Sequence, residues 1–117
     1  MISFAANKDN QVIIASAGGI DTICSAMQNH PQNIRIQEYG CHALGNLATN
    51  KENKVKIAMA GGIAVILSAM WKHSTHAGVQ IKGCVALISL SVNLENQAKI
   101  AAEGGIHMIS AAMKNHP

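Results

Sequence analysis

Aromatic side chains are almost missing from this sequence, which has one Phe, one Tyr and one Trp in 117 residues. Any core must therefore be built from Ile, Leu, Val, Met and Ala, and alanine-rich packing lets helices approach closely. Arginine occurs once, at Arg35, and the formal net charge is only +3. A nucleic-acid binder concentrates Lys and Arg on one face, so nucleic acid is not an expected partner. The three cysteines, Cys24, Cys41 and Cys84, are odd in number and have no close pair. That excludes a secreted disulfide framework and points to a reducing compartment. The longest uncharged run, 57–71, is shorter than the ~18 residues of a membrane span and carries two glycines. Met1-Ile2-Ser3-Phe4 lacks the apolar core and cleavage site of a signal peptide, and no Asn-X-Ser/Thr acceptor occurs. The expected setting is soluble and cytoplasmic, with the nucleus as the alternative and no membrane contact.

What the sequence does have is repetition. Gly18-Gly19-Ile20, Ala26-Met27 and His30 return as Gly61-Gly62-Ile63, Ala69-Met70 and His73, and again as Gly104-Gly105-Ile106, Ala112-Met113 and His116. The step is 43 residues both times, and about half the positions agree between the first two units. A fixed period of that size, filled with helix-forming residues, predicts an all-α fold of the α-solenoid class.

Each unit reads as three helices. Asn50 is placed to cap the first, as are Asn7 and Asn93, each with an acid two residues on (Asp9, Glu52, Glu95) that suits a helix N-terminus. The glycine pair ends that short helix, with Gly61 in the left-handed conformation and Gly62 releasing the chain at a steep angle. In the second helix Ile63, Ile66, Leu67 and Met70 fall at i, i+3, i+4 and i+7, one buried stripe. Cys24 stands where Leu67 does, as a small core residue. Pro31 cannot continue a helix, and Ser74 or Thr75 is placed to cap the third, longest helix, expected over 34–49 and 77–92. Gly40 and Gly83 recur inside it, at a cost of about 0.5–1 kcal/mol each, which predicts a close helix crossing there. The expected division is 1–6 (end of a third helix), 7–49, 50–92 and 93–117 (first two helices only), all one domain.

Catalytic constellations are absent from the pattern. Adjacent helical residues point about 100° apart, so Cys41 and His42 cannot form a dyad. No carboxylates pair on one face, and the Gly-Gly steps lack the Lys-Ser/Thr of a phosphate loop. An enzyme is not expected, nor is any cofactor. Trp71 replaces Gln28 and Lys114 at the end of a second helix, and a half-exposed packing role is expected for it.

The long-helix segment 37–48, QEYGCHALGNLA, resembles the Ala-Leu-Trp-Ala-Leu-Ser-Asn-Leu-Ala helix of armadillo repeats, and 53–63, NKVKIAMAGGI, resembles their first helix and glycine turn. The likeness covers essentially the whole chain. It implies a right-handed armadillo-type α-solenoid of three-helix repeats that binds a protein or an extended peptide in a groove lined by the third helices. In the family an asparagine holds the peptide backbone, and a tryptophan one turn earlier packs on its side chains. The asparagine position is Asn46 in one helix and Ser89 in the next; the tryptophan position is His42 and Val85. Asn46 alone keeps the family residue. Helical spacing adds Arg35, Tyr39 and Lys82, with Gly78, to the groove face. That neutral-to-basic surface suits an acidic partner.

By the same alignment, Met1 falls one period before Leu44 and Pro117 matches Pro31, so both ends are expected to lack capping repeats. Ile2 and Phe4 at one end and Ile106, Ile109 and Met113 at the other become candidates for self-association, making a homodimer the alternative function. The histidines His30, His73 and His116 fall one repeat apart along a ridge, ~10 Å per helix layer, too far to share one zinc ion. Stoichiometric zinc should accordingly leave the melting temperature unchanged in a thermal scan, whereas a large zinc-dependent rise would place those histidines together.

Overall fold

Local signals at each turn set the helix boundaries. The computed structural model describes residues 18–115, apart from the side chain of Asn115, and every regular element among them is helical. In order these are α1 (Gly19–Asn29), α2 (Ile34–Leu47), α3 (Lys51–Met59), α4 (Gly62–Lys72), α5 (Ala77–Leu90), α6 (Leu94–Ala102) and α7 (Gly105–Asn115). The Asn50 side chain accepts hydrogen bonds from the Glu52 and Asn53 amides (2.9 and 3.2 Å) to open α3, and Asn93 accepts from Asn96 (3.0 Å) to open α6. Asn33 opens α2 through the Ile36 amide at 3.0 Å. Asn7 lies outside the described residues.

Gly61 has φ 84°, the left-handed region that a side chain would disfavour, and Gly18 and Gly104 match it at 81°. At the next position a Cβ on Gly62 would lie 2.8 Å from the Ile57 carbonyl oxygen. That close approach folds α4 back on α3 at 72°.

Apolar stripes close the core. Leu44, Leu47, Ile57, Ile63, Ile66, Met70, Leu87 and Leu90 are fully buried, and a radius of gyration of 12.7 Å is that of a compact domain. The glycines within the long helices sit at crossings. A Cβ on Gly40 would lie 2.5 Å from the Met27 sulfur, and one on Gly83 would lie 2.6 Å from that of Met70. Between α2 and α5, a Cβ on Gly45 would stand 3.4 Å from the Ala86 Cα, so the two long helices pack nearly backbone to backbone.

Helices that end inside this core leave carbonyls beyond the reach of water, and buried carboxamides satisfy them. Gln37 Nε2 donates to the Met27 and His30 carbonyls (3.1 and 2.9 Å), closing α1. Gln80 Nε2 does the same for Met70 and His73 (2.7 and 3.1 Å), closing α4. Asn53 Nδ2 donates to Leu47 (3.0 Å) and Asn96 Nδ2 to Leu90 (3.1 Å), at the ends of α2 and α5. The Lys54 ammonium donates to the Ala48 carbonyl, a cation at a helix C-terminus.

Three expectations need correction. The long helices stop at Leu47 and Leu90, two residues short of 49 and 92, because Ala48 and Ser91 already serve as C-caps. The cap of α5 is neither Ser74 nor Thr75 but His76, whose Nδ1 accepts from the Val79 amide at 3.1 Å. Trp71 is 72% exposed rather than half-exposed. Cys84 is only half-buried where Cys41 is fully enclosed: a long helix, α5, packs along α2, whereas only the Ala112–Met113 end of α7 reaches the matching face of α5.

Replacing Gln80 by Leu keeps the bulk and strands the buried Met70 carbonyl, while the His73 carbonyl still accepts from the His76 amide, so it should cost about 1–3 kcal/mol. Urea unfolding should show a lower midpoint with an unchanged slope; Gln97→Leu, at an exposed position, should shift it little.

Candidate interaction surface on the long helices

On α2, Arg35, Tyr39, His42 and Asn46 follow one another at helical spacing and form one ridge. Arg35 and Tyr39 are exposed, while His42 and Asn46 are half-buried. The matching positions on the adjacent α5 are Gly78, Lys82, Val85 and Ser89: Lys82 and Ser89 half-buried, Val85 exposed. Neither the Asn46 carboxamide nor the Ser89 hydroxyl bonds to any other described residue.

The centre of this surface is electrostatically coupled. His42 titrates below its usual value, chiefly through burial and then through repulsion by the Lys82 ammonium, while the Glu38 carboxylate pulls the other way. Glu38 is the residue that spacing arguments missed. A Cβ on Gly78 would lie 2.6 Å from its Oε1, so the carboxylate leans across onto α5 where glycine leaves room. The i, i+4 relation of Glu38 to His42 was the available signal. The ridge thus carries Arg35 and Lys82 against one carboxylate.

Elsewhere the chemistry is quiet. Burial pushes the Cys41 thiol up to about 12 and, with Asp21 adding to it, the Cys24 thiol up to about 11; Cys84 is also raised by burial. All three stay protonated near neutral pH. Among the described residues no three of His, Cys, Asp and Glu cluster as metal ligands. His30 and His73 are the C-cap residues of α1 and α4, and His73 Nε2 lies 2.8 Å from the Pro31 carbonyl in the turn before α2. His116 is outside the described residues. Clefts of about 260 Å³ beside Asp21 and Lys56, and about 270 Å³ beside Gln37 and Lys72, fall below the ~300 Å³ usual for small-molecule sites. No single described helix is long and apolar enough to cross a membrane.

Of the self-association candidates, Ile106 and Met113 are exposed on α7, and Ile109 is half-buried against the core. Ile2 and Phe4 lie outside the described residues.

No protein-family profile and no solved structure matches the chain. A stretch of 39 residues, 33% of this chain, is 49% identical to Protein aardvark of Dictyostelium discoideum, and it spans 5% of that protein. A match of that extent assigns no family.

In an NMR titration the His42 midpoint should fall below 6.5, rise in Lys82→Ala and drop further in Glu38→Gln. Because the folded value is the lower one, the unfolded chain takes up this proton first as pH falls. His42 therefore lends stability above its unfolded value that is lost as pH falls through the folded value, and His42→Gln should flatten that acid limb. A midpoint above 6.5 would remove the coupling.

Proposed function

We propose that this chain is a right-handed armadillo-type α-solenoid, divided as 7–49, 50–92 and 93–117, which serves as a protein-interaction scaffold. Its ligand is an extended peptide or partner segment lying across α2 and α5. The observation that carries this reading is the backbone-close packing of α2 against α5 at Gly45 and Ala86, which sets two polar ridges side by side. The recurrence of the same carboxamide and glycine devices one unit apart supports the repeat architecture behind it.

Recognition on this surface uses hydrogen bonding and charge. The unpaired Asn46 carboxamide offers both a donor and an acceptor to a peptide backbone, and His42 offers a flat neutral ring beside it. Arg35 and Lys82 outweigh Glu38, so an acidic or mixed peptide is preferred. Two ridges give two rungs of contact, and ordering an extended peptide on so few contacts limits affinity to micromolar order or weaker. No step of this binding calls for catalysis or a cofactor, and the cytoplasm or nucleus suits such a module.

Titrating acidic extended peptides should shift the amide resonances of His42, Asn46, Lys82 and Ser89, and Asn46→Ala with His42→Ala should abolish those shifts. Tight binding of a Lys/Arg-rich peptide at another surface would overturn both the site and the charge preference. A second reading, self-assembly into a homodimer, is favoured by the large apolar side chains of Ile106 and Met113 that stand in solvent.

A further inference from the structure

We infer that the outer face of α5 is the contact surface for a second copy of this chain, with α5 packed on α5 about a two-fold axis. The inference rests on the self-assembly reading and gives it an interface. It begins from a comparison of the two long helices. On α2 the face bearing Glu38, Cys41 and Gly45 is covered by α5, and Cys41 and Gly45 are buried there. One period on, the corresponding residues are Ile81, Cys84 and Ile88; among the described residues only the Ala112–Met113 end of α7 reaches this face, beside Ile81 and Cys84, and Ile81 and Ile88 stay exposed.

That face is an unpartnered apolar seam. Ile81, Val85 and Ile88 are 51%, 53% and 55% exposed, and their spacing of four then three residues is that of a coiled-coil contact. Met113 of α7 joins it, lining a cleft of about 160 Å³ with Ile81 and Val85, and Ile106 stands seven residues earlier on the same side of α7. The latter two are 65% and 64% exposed.

Three features select a second copy as the occupant. The first is steric. Gly45 lets the Ala86 backbone come within 3.4 Å of its Cβ position, but Ile88 fills the equivalent space with a branched side chain. A further layer seated like α5 on α2 would collide with it. A helix held off by interlocking β-branched side chains, at the 8–10 Å typical of paired helices, fits instead.

Charge points the same way. Lys82 is the only charged residue of α5, so the seam residues themselves carry no charge, and antiparallel pairing keeps the two Lys82 side chains on either side of the two-fold axis. Area is the third feature. Burying the exposed parts of these five side chains on both copies removes on the order of 1,100 Å² of surface, above the ~1,000 Å² that a specific interface should clear.

Sedimentation equilibrium of the full chain should therefore show a dimer at micromolar concentration. Val85→Glu and Ile88→Lys, both at exposed positions, should each weaken it at least about thirtyfold, as expected for a central interface anchor, with unchanged helicity by circular dichroism. Without any variant, dilution of the wild type should move amide resonances at 81–88 and at Met113. A wild type that stays monomeric at several hundred micromolar overturns this interface and the self-assembly reading together. A dimer that neither variant weakens, or dilution shifts confined to α1 and α3, overturns the α5 interface alone and leaves self-assembly standing.

Discussion

Helices of nine to fourteen residues that reverse inside their own core must solve one problem before any other: the last carbonyls of each helix point where water cannot follow. Here the solution is a set of side-chain amides, each buried and each aimed at a helix end. Gln37 and Gln80 use both amide hydrogens, one on the final turn and one on the C-cap residue. An unmet buried carbonyl costs about as much as several exposed contacts supply, so these residues decide whether the sharp turns are tolerable at all. The apolar stripes then add burial to an already satisfied backbone.

With the turns satisfied, backbone distance becomes the second constraint. Methionine sulfurs occupy the space over Gly40 and Gly83, and Ala86 lies against Gly45. Flexible thioethers adapt to such gaps, which is why Met27 and Met70 fill them well. The close approach of α2 to α5 in turn brings Glu38 over Gly78 and Lys82 near His42, so the electrostatics of the surface follow from the absence of side chains beneath it. A bulkier residue at Gly78 would displace the carboxylate and change the charge the ridge presents.

Much of this was legible from the residues alone, where a local rule had a single physical solution. A glycine that must adopt positive φ, an asparagine two residues ahead of an acid and a 3.6-residue apolar stripe each led to the observed element. Local rules failed where the outcome depended on what lay across a gap. His76 displaced Ser74 and Thr75 as the cap because the ring nitrogen reaches the Val79 amide from that position. Trp71 invited a packing role on size alone, yet its position on α4 faces solvent. Glu38 belongs to the candidate surface because α5 lies beside it; its i, i+4 relation to His42 hinted at the pair, but no spacing within α2 announces Gly78 across the gap. Lys54 reads as a surface charge until the end of α2 is seen to need a donor.

Asn96 has a role beyond closing α5. Its Nδ2 donates both to the Leu90 carbonyl at the end of α5 and to the Lys54 carbonyl of α3, 42 residues earlier, while the Lys99 ammonium reaches the Ala58 carbonyl at 3.4 Å. One amide thereby ties the end of α5 to the backbone of α3. Peeling α6 away would uncover acceptors on two helices at once, which favours α3 and α6 opening together rather than residue by residue.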